Sequence, residues 1–225
     1  MKFDFLSESD QAYFIHKAST LVEALPYIRQ HSGEIIVIKY GGHAMGDPKL
    51  SKNFSKDIGL IKEVGIHPII VHGGGPQIGE RLKLKNIQSK FVEGLRVTDK
   101  EIIKVVEEVL SKDINKEIVD SINESGAKAV GLSGNQNNLI KADKLQVEVK
   151  DTDSNIEKLV DIGFVGQPLN VNIELIMSHV KKGEIPVIAP LGKDSQNNCY
   201  NINADTAAGF IAGQIKASKL LLLTD

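Results

Sequence analysis

Glu34-Ile35-Ile36-Val37-Ile38-Lys39-Tyr40-Gly41-Gly42 and His67-Pro68-Ile69-Ile70-Val71-His72-Gly73-Gly74-Gly75-Pro76 decide the fold. Each opens with a short apolar, β-branched run of the kind buried in a parallel sheet, and each ends in glycines. Between them, Pro48–Val64 carries apolar residues at helical spacing: Leu50, Phe54, Ile58, Ile61 and Val64. After the second run, Pro76–Leu84 reads as a short helix. Strand, glycine turn, helix, strand, glycine turn, helix predicts an α/β sheet with parallel strands.

Working outward, Phe14–Gln30 reads as a helix with Ile15, Ala18, Leu21, Val22 and Leu25 on one face, kinked or ended at Pro26. Asp99–Asn123 is the most regular helix. Ile102, Val106, Leu110, Ile114, Ile118 and Ile122 recur every four residues, and Val105, Val109 and Val119 widen the stripe. Asp99 or Thr98 is its expected cap, and a stripe that wide suggests a second subunit as well as a core. Ala127–Leu132 is a further strand. From Gly134 to Gln167 the pattern partly alternates, at Leu145, Val147 and Val149, and reads as an antiparallel excursion outside the main sheet. A helix over Asn170–Val180, a strand over Ile185–Leu191, a helix over Asn203–Gln214 and a strand over Lys219–Leu223 follow. Ligand groups in open α/β sheets sit just beyond the carboxyl ends of strands. Leu220–Leu223 is followed only by Thr224-Asp225, so the chain is expected to be a fragment lacking about a quarter of its natural length.

Composition removes several classes. Among 225 residues, 41% are hydrophobic and the net charge is −2, which speaks against disorder and gives no electrostatic reason to expect nucleic acid. The longest apolar runs, Ile35–Ile38 and Leu220–Leu223, fall far short of the roughly 18 residues of a membrane span. Cys199 is the single cysteine, which suits a reducing, cytoplasmic setting. Met1–Glu8 is acidic early and lacks an apolar core, unlike a secretory signal.

The two glycine loops carry the chemistry. Glycine lets the backbone approach a ligand closely, and N–H groups at a helix N-terminus point at anions. Side by side, the loops could hold two anionic groups, or one group in transit between two molecules. Lys39 would add a point charge on a transferring phosphoryl group. The alternative is that the glycines only make tight turns and Lys39 is a solvated strand end. Neither loop has Walker A or G-x-G-x-x-G spacing. Arg96, in Gly94-Leu95-Arg96-Val97-Thr98-Asp99, offers a planar fork for a carboxylate, or else a surface ion pair with Glu93. In Asn201-Ile202-Asn203-Ala204-Asp205, one residue can be a helix cap; two asparagines and an aspartate exceed that need. Asp205 could orient Lys39. The six histidines have no metal-site spacing, and His72 reads as structural rather than as a base. No serine or cysteine nucleophile arrangement is evident.

Together these stretches, from about Ala18 to Asp225, resemble the amino acid kinase family, and within it the members that phosphorylate N-acetyl-L-glutamate. The resemblance implies a three-layer αβα sandwich with an eight-stranded, mainly parallel central sheet, incomplete here at the C-terminus. Residues 1–30 would be a helical extension, 31–200 the acetylglutamate-binding lobe and 201–225 the start of the ATP-binding lobe. It implies ATP-dependent phosphorylation of the acetylglutamate side-chain carboxylate in arginine biosynthesis, with Mg2+ accompanying ATP. Carried over by position, Lys39 is catalytic and Asp205 organises it. Gly41, Gly42 and Gly73 meet phosphates, while Gly74, Gly75, Arg96, Asn201 and Asn203 hold acetylglutamate. The N-terminal helix resembles the extra helix of hexameric, arginine-inhibited members, so a homo-oligomer (a dimer, or a hexamer through that helix) is expected. A second lysine and most of the adenine pocket would lie beyond Asp225, so the 225-residue chain alone is expected to turn over little. Gly134-Asn135-Gln136-Asn137-Asn138 replaces a more charged stretch common in the family.

Two alternatives remain at this stage. One is another kinase of the same superfamily, acting on carbamate, aspartate or uridylate. The other is a short, non-catalytic protein that binds the acceptor.

Overall fold

The computed structural model describes residues 7–150 and 157–223. The reading of Met1–Leu6 as part of a non-secretory start, and the residues Thr224-Asp225, lie outside the described residues.

In chain order, α1 (Glu8–His31) leads into β1 (Ile35–Tyr40), a 3-10 turn (Gly42–Met45), α2 (Pro48–Glu63), β2 (His67–His72) and α3 (Gly75–Leu84). A small hairpin, β3 (Phe91–Val92) and β4 (Leu95–Arg96), precedes one long helix. That helix is α4 (Lys100–Glu108), a π-helical segment (Val109–Ile114) and α5 (Asn115–Glu124). Next come β5 (Ala129–Ser133), β6 (Ile140–Lys144), β7 (Val147–Lys150), β8 (Glu157–Val160) and β9 (Val165–Val171). The chain continues through α6 (Ile173–Lys181), β10 (Ile185–Ala189), β11 (Leu191–Lys193), β12 (Cys199–Ile202), α7 (Ala204–Ile215) and β13 (Lys219–Leu223).

The central sheet runs β13-β1-β2-β10-β5, and every pairing in it is parallel. Alternation along the strands sorts their side chains into two layers. Ile36, Ile38, Tyr40 and Ile70 pack with α2, α3 and the long helix. Val37, Ile69 and Val71 pack with α6 and α7. This is the expected αβα sandwich. Its central sheet has five of the eight strands implied for the whole family fold, and β11, β12, β9 and β6 close into a small barrel of their own. The excursion after Gly134 therefore does leave the main sheet.

Several boundaries differ from the sequence reading. α1 starts at Glu8 rather than Phe14 and runs through Pro26 to His31, so of the kink or end expected at Pro26 the end does not occur. It buries none of its residues, so no packing within the chain marks a stop. The stripe on the long helix is filled from within: Ile102, Val106, Leu110, Ile114, Ile118 and Ile122 all lie in the core. Asp99 is its cap, accepting from the Glu101 and Ile102 N–H groups at 2.8 Å. The strand expected over Ile185–Leu191 divides at Pro190, where β10 stays in the sheet and β11 enters the barrel. β9 extends to Val171, so α6 starts later than expected, capped by Asn172.

Candidate active site

β1 and β2 are adjacent and parallel, with Lys39 opposite Val71 and Tyr40 opposite His72. Both glycine loops therefore emerge at the same carboxyl edge. The Gly73 N–H donates to Tyr40 O at 2.7 Å and ties the loops together. They floor a cleft of about 230 Å³. Every residue singled out from the sequence lines it: Lys39, Gly41, Gly42, Gly73, Gly74, Gly75, Arg96, Asn201, Asn203 and Asp205. A larger groove of about 430 Å³ lies elsewhere, against Pro48, Ser51, Lys52 and Lys56 on one side and Glu117, Ser121 and Glu124 on the other. It has no glycine loop, so the smaller cleft is the better candidate.

Lys39 is not a solvated strand end. It is 7% exposed. Strand alternation turns it to the α7 side of the sheet, where its Nζ lies 3.1 Å from Asp205 Oδ1. Room for it comes from Gly41, since a Cβ there would sit 2.9 Å from Lys39 Cε and Nζ. Asn203 caps α7, its Oδ1 accepting from the Asp205 and Thr206 N–H groups at 2.9 and 3.0 Å. The cap fixes where Asp205 stands, in the first turn of α7.

Gly74 serves close approach. A Cβ there would lie 2.5 Å from Ile114 Cδ1 and 2.6 Å from Leu110 Cδ2. Gly74 directly precedes α3, so its N–H and that of Gly75 belong to a helix N-terminus. His72, just before the loop, is fully buried and burial pushes its pKa down to about 4. It is a neutral structural group, as the sequence suggested.

Arg96 does not pair with Glu93. It reaches the cleft from β4, donating through Nη2 to Gly75 O at 2.9 Å and through Nη1 to Ser89 Oγ. Its guanidinium carbon lies 4.7 Å from the Phe91 ring centroid. An arginine held on two sides and on one face keeps a fixed plane, with donors to spare for a carboxylate.

The amino acid kinase family model matches residues 34–225. Over 212 residues the chain is 54% identical to the acetylglutamate kinase of Rhodospirillum centenum, a match covering 94% of this chain and 70% of that protein. The chain belongs to the amino acid kinase family. The acetylglutamate kinase of Rhodospirillum rubrum is 53% identical over 94% of this chain and 68% of its own length. Among solved structures, smu.665 from Streptococcus mutans UA159 superposes with a TM-score of 0.73 at 31% identity, covering 85% of this chain and 72% of that one. The N-acetylglutamate synthase of Neisseria gonorrhoeae, complexed with coenzyme A and N-acetyl-glutamate, gives 0.75 at 23% identity over 92% of this chain and 45% of its own. At that identity the likeness is one of fold.

Membership in the amino acid kinase family does not by itself point to the apolar lining of the cleft. Ile78, Phe91, Leu95, Leu110, Val165 and Ile202 line it and were not singled out from the sequence. Phe91 had one available signal: it lies five residues before Arg96, across a turn with Gly94 at positive φ, the geometry of a hairpin. The half-buried Cys199 is no nucleophile. Burial pushes its thiol up to about 12, and its sulfur accepts from Asn135 Nδ2 at 3.3 Å.

Proposed function

We propose that this cleft binds N-acetyl-L-glutamate and supports ATP-dependent phosphorylation of its side-chain carboxylate, the acyl-phosphate-forming step of arginine biosynthesis. The observation that carries the reading is the buried Lys39 held by Asp205 beside two glycine loops and a fixed arginine, in a chain 54% identical to an acetylglutamate kinase.

In the reaction a side-chain carboxylate oxygen attacks the γ-phosphorus of ATP. A new P–O bond forms, the bond to the β–γ bridging oxygen breaks, and ADP leaves with those electrons. Such a transfer depends on position and on charge stabilisation more than on covalent help. Lys39 supplies positive charge to the transferring group, and Asp205 holds the Lys39 ammonium in place. Gly41 and Gly42 offer backbone N–H groups to phosphates, and Gly73, whose own N–H is held by Tyr40 O, lets the backbone come close to them. Gly74, Gly75, Arg96, Asn201 and Asn203 hold acetylglutamate, with Arg96 on a carboxylate. In this reading residues 31–200 form the acceptor lobe, 201–225 begin the nucleotide lobe and 1–30 are an appended helix.

Among the described residues, no group of three or more His, Cys, Asp or Glu is placed to hold a metal ion. Mg2+ is therefore assigned to the nucleotide phosphates, the usual manner in which it enters kinase sites. No described helix is long and apolar enough to cross a membrane, and the proposed setting is the cytoplasm, as a homo-oligomer.

The test is an acceptor panel. N-acetyl-L-glutamate, L-aspartate, carbamate and UMP are titrated into the chain for binding, and ADP release with MgATP is compared between them in the full-length enzyme. Acetylglutamate is expected to bind tightest and to give the most hydroxylamine-trapped acyl phosphate. Preference for another acceptor would reassign the site.

A further inference from the structure

Behind the glycine loop, on the side away from the cleft, lies a buried polar pair. Strand alternation turns His72 toward the long helix, and Asn115 meets it there at the end of the π segment. Asn115 is 5% exposed. Its backbone N–H bonds to Leu110 O, the i→i+5 bond that defines the wider turn. The side chain enters a slot on β5 that exists because residue 131 is glycine; a Cβ there would collide with Asn115 Oδ1.

Chemistry fixes every proton in this pair. Asn115 Nδ2 faces Val187 O at 2.9 Å and Leu132 O at 3.5 Å. Carbonyls only accept, so this end of the amide is the NH2. The same Nδ2 lies 3.2 Å from His72 Nε2, which must then be the unprotonated nitrogen. The ring proton sits on Nδ1 and donates to Gly73 O at 2.9 Å. In a planar trans peptide, C=O and the following N–H point in opposite directions. Drawing Gly73 O back toward His72 therefore turns the Gly74 N–H forward. Among the described residues no backbone acceptor meets that N–H.

We propose that Asn115 is a positioning residue for the glycine loop: through His72 it fixes the Gly73–Gly74 peptide so that the Gly74 N–H faces the cleft. The ligand met by that N–H is the acetylglutamate carboxylate only under the reading of the cleft given above. The π segment has a definite part in this. It places Leu110 and Ile114 against Gly74 and Asn115 against His72, so one irregular turn supports both sides of the loop.

Long-range 1H–15N spectra of the 225-residue chain read the wild-type arrangement without any variant. His72 is expected to carry its proton on Nδ1, with Nε2 in the imine range; a proton on Nε2 would overturn the proposal. Asn115→Ala is expected to shift the Gly74 amide resonance and to weaken acetylglutamate binding about five- to ten-fold, the range for one neutral hydrogen bond. Should that variant not fold, the near-isosteric Asn115→Asp replaces it: its carboxylate can only accept, so a proton is expected on His72 Nε2, with the same Gly74 shift. Unchanged Gly74 resonance in the folded variant would also overturn the proposal. If the wild type binds no acetylglutamate while the tautomer and the Gly74 response are as stated, the functional reading fails and the positioning relation stands.

Discussion

Lys39 Nζ lies 3.1 Å from Asp205 Oδ1, although most of the chain separates the two residues. Three local features converge on that contact. Strand alternation turns Lys39 toward α7, the Asn203 cap fixes the first turn of that helix, and Gly41 leaves the lysine its space. The lysine is buried and the aspartate half-exposed, so the pair works better as a locating device than as a source of stability.

Removing the anchor should therefore affect rate more than folding. In the full-length enzyme, Asp205→Asn is expected to slow phosphoryl transfer with little change in thermal midpoint. Lys39→Met should cost about 10²–10³ in rate, the scale for losing one charge-stabilising donor. Gly41→Ala should approach the Lys39→Met defect, because the new Cβ displaces the ammonium. Rates measured under single-turnover conditions check this, and a Gly41→Ala rate equal to wild type would contradict the packing argument.

In the full-length enzyme, Arg96→Ala should weaken acetylglutamate binding by about 1.5–3 kcal/mol, the range for a hydrogen bond to a charged group. ATP affinity should hardly change. Phe91→Ala should produce a smaller loss on the same side, by releasing one face of the guanidinium. Titration of each ligand separates the two; a defect confined to ATP would move Arg96 to the nucleotide side.

Much of this site was legible in the sequence because the signals are local. A β-branched run ending in glycines gives both strand and loop, and adjacent parallel strands bring two such loops to one edge. The β3–β4 hairpin was missed because two-residue strands carry no periodicity. The π segment did leave a trace. Apolar residues recur every four positions from Ile102 to Ile122, whereas an α-helix would drift by about 40° per step at that spacing. A wider turn takes up part of the drift and keeps the stripe on the core. The departure of the segment after Gly134 from the main sheet was legible, but its closure with β11 and β12 into a barrel was not, because that depends on non-local pairing.

Acid should destabilise the fold in two separable windows. His72 has its pKa pushed from 6.5 down to about 4 by burial. The unfolded chain then binds the extra proton first, so this stability is complete above 6.5 and lost as pH falls toward 4. Glu184 is held down to about 2 from 4.5, by its hydrogen bond with His179 and then by Lys128. Its stabilisation is present above 4.5 and lost as pH falls through about 2. Thermal midpoints measured from pH 7 to pH 2 should show Glu184→Gln flattening only the lower window. A Glu184→Gln curve parallel to wild type throughout would refute the assignment.

The N-terminal helix gives the last prediction. α1 spans 24 residues, about 36 Å, and buries none of them within the chain. Ile15, Leu21, Val22 and Leu25 are all exposed, at 66%, 70%, 65% and 45%. A lone helix draws most of its stability from packing an apolar face, and among the described residues nothing buries this one. A second copy offers the same face, and two such helices can bury each other's stripe in a symmetric contact. The chain is therefore expected to self-associate through α1. Leu21→Asp with Leu25→Asp should shift sedimentation to a smaller species and lower helical content by about one helix, while acetylglutamate binding in the distant cleft is retained. Wild type that sediments as a monomer at tens of micromolar, with α1 protected from proteolysis, would show that the stripe is covered some other way.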